Sequence, residues 1–372
     1  MYFAWVILPM IILALAGIYI VYTVYKGVQY FGSRWNKRRQ LIVSLVISVI
    51  LIAPMSVMGT VWFMVLVHMV GISLICHLLI FLLRKMYRKP LPKMVEGIYR
   101  SGAVVLVLTL LIFSYGYYNM SHIVKTEYQV TTDKNIRSEG YRLAVLSDLH
   151  YGISLDNEEL RNVAERISSD HPDVLILDGD IVDESTTYQQ MEDAIAILGS
   201  ISTRYGIYFV YGNHDSSSYS DAPSYTVEQL ENAISQAKIT ILDDAVADIN
   251  GELALIGRAD KSYGVNNRKE ISQLISGIDQ NQELIVLDHQ PAEYRQVEAA
   301  GGDLIISGHT HAGQMWPIGV FTSLMHVDEM NYGYKKQGNL NAIVTSGIAG
   351  WGYPIRTEEH SEYVLIELGL EN

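Results

Sequence analysis

The chain has 372 residues, 49% of them hydrophobic, and a formal net charge of −13. Residues 1–125 hold 12 Lys or Arg and one acid, a net +11, whereas residues 126–372 hold 15 Lys or Arg and 39 acids, a net −24. This acidic part is unsuited to nucleic acids, which proteins hold through Lys and Arg. The single cysteine, Cys76, excludes an intramolecular disulfide. The sequence predicts two different domains, over residues 1–120 and 121–372.

The first 120 residues predict an all-α transmembrane bundle of four spans. A spanning helix needs roughly 20 apolar residues, and the apolar run over residues 41–83 is long enough for two. The stretch APMSVMG, residues 53–59, predicts a hairpin inside that run. The predicted spans cover residues 4–25, 41–57, 61–83 and about 98–119.

Loop charges predict the orientation of this multi-pass bundle in the cell membrane. The connection after the first span holds five basic residues, the one after the third holds six, and the one between them holds none. Positively charged loops stay in the cytoplasm, so both termini and the acidic domain are predicted to lie outside it. His68 and His77 of the third span form either a polar path or hydrogen bonds to a neighbouring helix, and we favour the second interpretation.

Residues 121–372 alternate strands with helical patterns, and five apolar strands end in side chains that can bind a cation. Five such endings are hard to explain by packing, because crowded carboxylates and imidazoles are costly to bury without a partner. A metal cluster removes that cost. The five stretches are RLAVLSDLH, DVLILDGDIVD, GIYFVYGNHD, ELIVLDHQP and DLIISGHTH.

The motifs SDLH, GDIVD, GNHD, DHQ and GHTH resemble, in order and in placement, those of the calcineurin-like metallophosphoesterases. Further stretches, YGYK and SGIAGWGYPIR, resemble the membrane-anchored bacterial phosphodiesterases of that family. The resemblance implies an α/β domain with two packed mixed sheets flanked by helices. It also implies a centre of two divalent metal ions, for which the ligand types suit Mn, Fe or Zn.

The same resemblance implies roles for individual residues. His214 would lie beside the scissile phosphate and protonate the leaving oxygen, and Asp183 would orient it, although Asp183 could instead be a helix N-cap. The ligands implied for the first ion are Asp148, His150, Asp180 and His311, and those for the second are Asp180, Asn213, His289 and His309.

Three more polar residues have open roles at this point. Arg356 either binds a phosphate oxygen of the substrate or forms a salt bridge to Glu358 or Glu359. Asp178 and Asp215 are either part of the site or structural.

Two functions of different classes fit the sequence. The first is a membrane-anchored, two-metal hydrolase of phosphodiester or pyrophosphate bonds, acting on a lipid-linked or cell-envelope phosphate. The alternative is a non-catalytic, metal-binding membrane sensor, or a partner-binding protein, with a phosphoesterase-like domain. A binding module has no need of His214, so the sequence favours the enzyme.

Overall fold

The computed structural model of the protein describes residues 8–53, 61–87, 91–263 and 268–370. The chain divides into two compact units, with the boundary after Tyr115. The start of the first predicted span, nearly all of the predicted hairpin at residues 53–59, and part of the basic tract near residue 89 lie outside the described residues.

The first unit is helical. Its second helix begins at Lys37 because the Asn36 side chain caps it, accepting the Arg39 backbone N–H at 2.9 Å. The helices are α1 (Leu8–Phe31), α2 (Lys37–Ile52), α3 (Val61–Tyr87), α4 (Lys93–Ser101) and α5 (Ala103–Ser121), the last of which continues into the second unit.

Two helices among the described residues, α3 and α5, are long and apolar enough to cross a membrane. They fall at the third and fourth predicted spans. The fourth, however, does not begin near Ile98. Gly102, at φ 72°, ends α4 in a left-handed cap that a glycine adopts without strain, and α5 starts one residue later.

The two histidines of α3 make hydrogen bonds inside the first unit. His77 Nδ1 lies 2.7 Å from the Ser73 carbonyl oxygen and 2.9 Å from the Tyr19 hydroxyl of α1. His68 Nδ1 lies 2.8 Å from the Met64 carbonyl oxygen of its own helix. The Tyr19 contact supports the hydrogen-bonded interpretation for His77.

The second unit contains two six-stranded mixed sheets, as predicted. Sheet A has the order β1 (Val124–Thr132), β12 (Glu362–Leu370), β2 (Tyr141–Leu146), β3 (Val174–Asp178), β4 (Ile207–Val210), β5 (Thr240–Ile241). Sheet B has the order β10 (Gly333–Gln337), β11 (Leu340–Val344), β9 (Leu304–Ser307), β8 (Glu283–Leu287), β7 (Leu253–Gly257), β6 (Ala245–Ile249). The central strands of each sheet, β2 to β4 and β7 to β9, are parallel.

The core lies between the two sheets, and a second apolar layer lies beneath helices. Successive side chains of a strand point to opposite faces, so Val145 and Ile176 of sheet A pack in one cluster with Ile285 of sheet B. Their neighbours point the other way, and Leu146 packs with Leu160 of helix α6 (Asn157–Ser169). Burying one such side chain contributes about 1.5–3 kcal/mol to folding. The sheets thereby become a rigid platform for the loops at their ends.

Three helices of the second unit, α6 to α8, begin where polar side chains satisfy free backbone N–H groups. Asp156 and Thr187 form capping boxes with Glu159 and Gln190, and these fix the starts of α6 and α7. The helices are α6 (Asn157–Ser169), α7 (Tyr188–Gly199), α8 (Val227–Gln236), α9 (Ile271–Ile275), α10 (Tyr294–Ala300) and α11 (Ile318–Met325).

Candidate metal centre

The five polar motifs follow the carboxyl ends of parallel strands in both sheets. Strands β2, β3 and β4 of sheet A and strands β8 and β9 of sheet B each end immediately before one motif or within it. Binding sites of α/β domains are built at this edge. The structure brings six of the predicted ligands into two groups there.

The first group contains Asp148, His150 and His311, whose ligand atoms all lie within 4.8 Å of one another. His150 Nδ1 lies 3.1 Å from Asp183 Oδ2, and His311 Nδ1 lies 3.3 Å from the Ala349 carbonyl oxygen. Both Nδ1 atoms therefore donate, which leaves both Nε2 atoms to face each other at 3.2 Å. Two imidazole lone pairs this close repel unless a cation lies between them, so the pair fits a metal ion.

The second group contains Asp180, His289 and His309, again within 4.8 Å of one another. His289 Nδ1 donates to the Asp178 carbonyl oxygen at 2.7 Å, and its Nε2 lies 3.0 Å from Asp180 Oδ2. Asp180 Oδ2 also lies 3.7 Å from His150 Nε2 of the first group. Asp180 thus lies between the two groups, where a bridging carboxylate is needed.

Asn213 lies beside these groups with an unused acceptor. Its Oδ1 atom is buried and accepts no hydrogen bond from any described residue. A buried amide oxygen without a partner costs about 1–3 kcal/mol, and a divalent ion supplies such a partner. Together with the two groups, this orphaned atom fits a site for two divalent metal ions.

The electrostatics of the centre also suit metal ligands. Burial lowers the pKa of His311 to about 3, so its imidazole stays neutral, as a ligand must be. Burial alone would raise the pKa of Asp180, but the neighbouring His289 and His150 hold it below its usual value. His311 and Asp180 are therefore already in the protonation states that bind a cation.

The backbone at the proposed ligands is strained. Five of the seven have left-handed φ values, which cost non-glycine residues about 1–3 kcal/mol each. Backbone bonds between strand ends hold them, including Asp148 N–H to the Gly179 carbonyl oxygen at 3.0 Å. The five residues are Asp148 (φ 56°), His150 (φ 40°), Asp180 (φ 51°), His309 (φ 69°) and His311 (φ 49°).

Asp215, whose role the sequence left open, braces the loop that carries Asp180. Its carboxylate accepts the backbone N–H groups of Gly212, Asp180, Ile181 and Val182 at 2.7–3.2 Å. The two loops also approach closely, because a Cβ on Gly212 would lie 2.2 Å from Asp180 Oδ1. Asp215 therefore holds in place the loop that carries the proposed ligand Asp180.

His214 lies at the edge of the centre, and the structure corrects its predicted partner. Its Nδ1 lies 2.8 Å from Glu184 Oε2, not from Asp183. Asp183 contacts His150 instead, and the hydrogen bonds from His150 and Ser185 lower the pKa of Asp183 to about 2 despite burial. Asp183 is not the N-cap of α7 either, since that cap is Thr187.

Sequence reasoning missed Glu184 because it stands next to Asp183. Adjacent residues often point in different directions, and either carboxylate could have met the imidazole. The stretch DESTT, residues 183–187, contains both acids. The only signal that could have pointed to Glu184 was that its carboxylate, like that of Asp183, needs a hydrogen-bonding partner.

Arg356 also differs from its predicted role, because it is fully buried. Its Nη1 donates to the His311 carbonyl oxygen at 2.9 Å and its Nη2 donates to the Ala349 carbonyl oxygen at 2.6 Å. These contacts support the loop of His311 and leave no exposed face for a substrate phosphate. The alternative salt bridges to Glu358 and Glu359 are not found among the described ion pairs.

Two buried acids complete the surroundings of His289. The Asp178 side chain is fully buried and accepts no hydrogen bond from any described residue, and burial raises its pKa. Asp288 pairs with Arg268 and with Arg258, the latter at 3.3 Å. The Asp288 pairs hold the backbone that presents His289, and the sequence did not predict them.

Comparison with known families agrees with this geometry. Residues 141–313 match the family model described as calcineurin-like phosphoesterase. This segment is similar to calcineurin-like phosphoesterase domains. The matched segment begins at β2 and ends after His311, so the five strand-end motifs all lie within it.

Several metallophosphoesterases are similar to this chain in sequence. A transmembrane protein with metallophosphoesterase domain from Danio rerio is 28% identical over 290 residues, which cover 73% of this chain and 64% of that protein. An uncharacterized metallophosphoesterase from Helicobacter pylori J99 is 27% identical over 232 residues, which cover 61% of this chain and 59% of that protein. The matched part thus spans about three fifths of the length of these relatives.

Solved structures of similar proteins include a dimetal phosphatase from Danio rerio. It is 11% identical in sequence, with a TM-score of 0.37, and the match covers 56% of this chain and 88% of that one.

Proposed function

We propose that this protein is a membrane-anchored hydrolase of phosphodiester or pyrophosphate bonds that depends on two divalent metal ions. The proposal is carried by the two adjacent ligand groups with Asp180 between them. His214 lies beside these groups, with its ring centroid 5.3 Å from that of His150. A sensor that only binds metal has no use for a partly buried, carboxylate-paired imidazole at this position.

The proposed ligand roles follow the two groups. The first ion is held by Asp148, His150, Asp180 and His311, and the second by Asp180, Asn213, His289 and His309. When bound, two divalent ions supply an activated water and cover the charge of the phosphoryl oxygens.

His214 is proposed as the general acid of the reaction. Burial opposes its protonation, but the hydrogen bond to Glu184 and the charge of Asp180 raise its pKa above the usual value. A protonated His214 can give its proton to the leaving oxygen as the phosphorus–oxygen bond breaks. Glu184 keeps the imidazole in position while it does so.

We infer that the substrate is lipid-linked or belongs to the cell envelope. The basic loops of the first unit support a four-span bundle with the phosphoesterase domain outside the cytoplasm. The net charge of −24 over residues 126–372 disfavours nucleic acid as the substrate.

The first prediction tests metal dependence with the full-length, detergent-solubilised protein. Hydrolysis of bis-p-nitrophenyl phosphate should disappear with a chelator and return with Mn²⁺. Asp180→Ala should lose both metal and turnover because it removes the carboxylate between the two groups, whereas Asp193→Ala on the exposed face of α7 should lose neither. Metal content by elemental analysis and turnover are measured together. Full turnover by Asp180→Ala would contradict the two-metal assignment.

A further inference from the structure

An exposed apolar surface lies on the second unit, formed by α11 and by Trp316, two residues before its start. Phe321, Leu324 and Met325 are 58%, 70% and 68% exposed, and Trp316 is 56% exposed. The opposite side of α11 faces the protein, since Gly319 is buried and its N–H donates to Glu358 Oε2 at 2.9 Å. Large contiguous apolar patches on a soluble surface mark interaction sites.

The composition of this segment restricts what can cover it. Residues 315–327, MWPIGVFTSLMHV, contain no Asp, Glu, Lys or Arg. A charged partner, including a charged peptide, would therefore find no side chain of opposite charge within this segment. Phe321, Leu324 and Met325 lie on one side of α11 and Trp316 just before it, and Trp, Phe and Leu are residues that interfacial helices bury in a membrane.

The loop over residues 355–359 connects this surface to the end of a candidate membrane span. On one side, Thr357 Oγ1 accepts the Trp316 backbone N–H at 3.0 Å. On the other side, the Arg356 N–H donates to the Gly116 carbonyl oxygen of α5 at 3.0 Å. Gly116 is needed for this approach, because a Cβ there would lie 2.7 Å from Ile355 Cγ2. One loop thus contacts both α11 and the last turns of α5.

The end of α5 carries the aromatic residues expected where a helix leaves a bilayer. Tyr117 and Tyr118 are exposed on its last turns, and aromatic side chains concentrate at membrane–water interfaces. Because α5 is long and apolar enough to cross a membrane, its end marks the level of the interface. The apolar surface of α11 is joined to that level through residues 355–359.

A second exposed tryptophan connects this region to the metal centre. Trp351 is half exposed, and its ring centroid lies 5.7 Å from that of His214. Its backbone N–H donates at 3.0 Å to Oε1 of Gln314, which stands two residues before Trp316. The candidate general acid and the apolar surface therefore belong to one connected region of the domain.

We propose that Trp316 and α11 insert into the headgroup region of the lipid bilayer. This contact holds the metal centre at the membrane surface, in reach of a phosphate group borne by a membrane lipid. This insertion into the bilayer does not depend on hydrolysis of a substrate. The lipid nature of the substrate rests on the proposed function, whereas the docking surface does not.

The test uses the full-length chain in phosphatidylcholine nanodiscs. Cys76→Ser removes the only thiol, and Leu324→Cys then carries an environment-sensitive NBD label. The control carries the label at Val246→Cys, an exposed apolar position on strand β6. We expect a blue-shifted emission and strong quenching by doxyl-labelled phosphatidylcholine at position 324, and neither effect at position 246. Equal quenching at the two positions would overturn the proposal.

A second variant separates insertion of the surface from insertion of the dye. With the label at Phe321→Cys, the added substitution Leu324→Asp should abolish quenching, because a charge resists transfer into the interface. Retained quenching would show that the dye alone enters the lipid. Self-quenching that appears only in discs with two protein copies would assign the surface to a second chain and also overturn the proposal. Metal content and thermal unfolding confirm that each variant is folded, and neither depends on hydrolysis.

Discussion

His214 is the residue on which the proposed chemistry depends most directly. It follows Asn213, and neighbouring residues of an extended chain point to opposite sides. The backbone N–H of His214 donates to Asp180 Oδ1 at 2.8 Å, while its imidazole turns to Glu184. Backbone and side chain therefore serve different partners, so the side chain can be removed without removing the bond to Asp180.

The second prediction concerns His214→Ala. Turnover should fall by roughly 10²–10⁴-fold, the usual scale for a general acid, while both metal ions remain. The loss should be smaller on a nitrophenyl ester, whose leaving group needs little protonation. Glu184→Gln should show a weaker form of the same pattern, and Glu192→Gln on α7 serves as its control. Loss of one metal equivalent, or an equal rate loss for both leaving groups, would exclude the general-acid role.

The third prediction tests the strained backbone at His309. In the metal-free protein, His309→Gly should be more stable than His309→Ala by about 1 kcal/mol, because only glycine adopts φ 69° without strain. The two variants remove the same imidazole, so their difference isolates the backbone. Thermal unfolding monitored by circular dichroism measures it. A more stable alanine variant would show that the left-handed conformation is not imposed on this position.

At the residue scale, the sequence predicted which side chains meet but not every contact between them. Strand-end placement was sufficient to bring six ligands together, because parallel strands end at one edge. The partner of His214 was wrong, because Asp183 and Glu184 are adjacent and of the same chemistry. The role of Arg356 was wrong because burial depends on how loops 311–314 and 349–356 fold together, which no local pattern encodes.

At the element scale, strands β1 and β8 are linked by a buried acid. Glu283 of β8 accepts the Thr132 hydroxyl of β1 at 2.6 Å, and the two strands belong to different sheets. Burial raises the pKa of Glu283 to about 7, well above the usual value of a glutamate side chain. The charged form is therefore less favourable in the folded protein than in the unfolded chain.

The fourth prediction follows from that shift. Because the folded pKa is raised, the contribution of Glu283 to stability is complete below about pH 4.5 and is lost as pH rises through about 7. Glu283→Gln should remove this loss and stabilise the protein at pH 8 by on the order of 2 kcal/mol. Thermal unfolding of both proteins from pH 5 to pH 8 gives the difference. Parallel pH dependences would show that Glu283 titrates normally.

Sequence patterns predicted the central strands of the second unit, because β2, β3, β4, β8 and β9 are short apolar runs followed by polar loops. They were less accurate in the first unit. The fourth span was placed across Gly102, since hydropathy alone does not detect a single left-handed residue between two helices. The pairing of β1 with β12, whose paired residues are 238 positions apart in sequence, also lay beyond any local signal.

At the scale of the whole molecule, the basic loops predict that the two ends of the chain lie on the opposite side of the membrane from the loop before α2. Ser361, directly before β12, is fully buried and unsuited to labelling. Lys336 on β10 is exposed. Ser33 is exposed in the loop between α1 and α2. These two positions report the orientation of the protein.

The fifth prediction uses them in a Cys76→Ser background. An impermeant maleimide applied to intact cells should label Lys336→Cys and leave Ser33→Cys unlabelled, because positively charged loops remain in the cytoplasm. Permeabilised cells should label both, which controls for reactivity. The reverse pattern would put the phosphoesterase domain in the cytoplasm and remove the basis for an envelope substrate.

The left-handed backbone of the five ligands has a consequence for how this domain can change over generations. A lineage freed from the need to bind metal would gain stability by replacing these residues with glycine, which tolerates the conformation at no cost. Loss of the metal-binding side chains at those positions would therefore stabilise the domain rather than leave its stability unchanged. Aspartate and histidine nevertheless occupy all five positions, so side chains that can bind a cation stand where glycine would relieve the backbone strain.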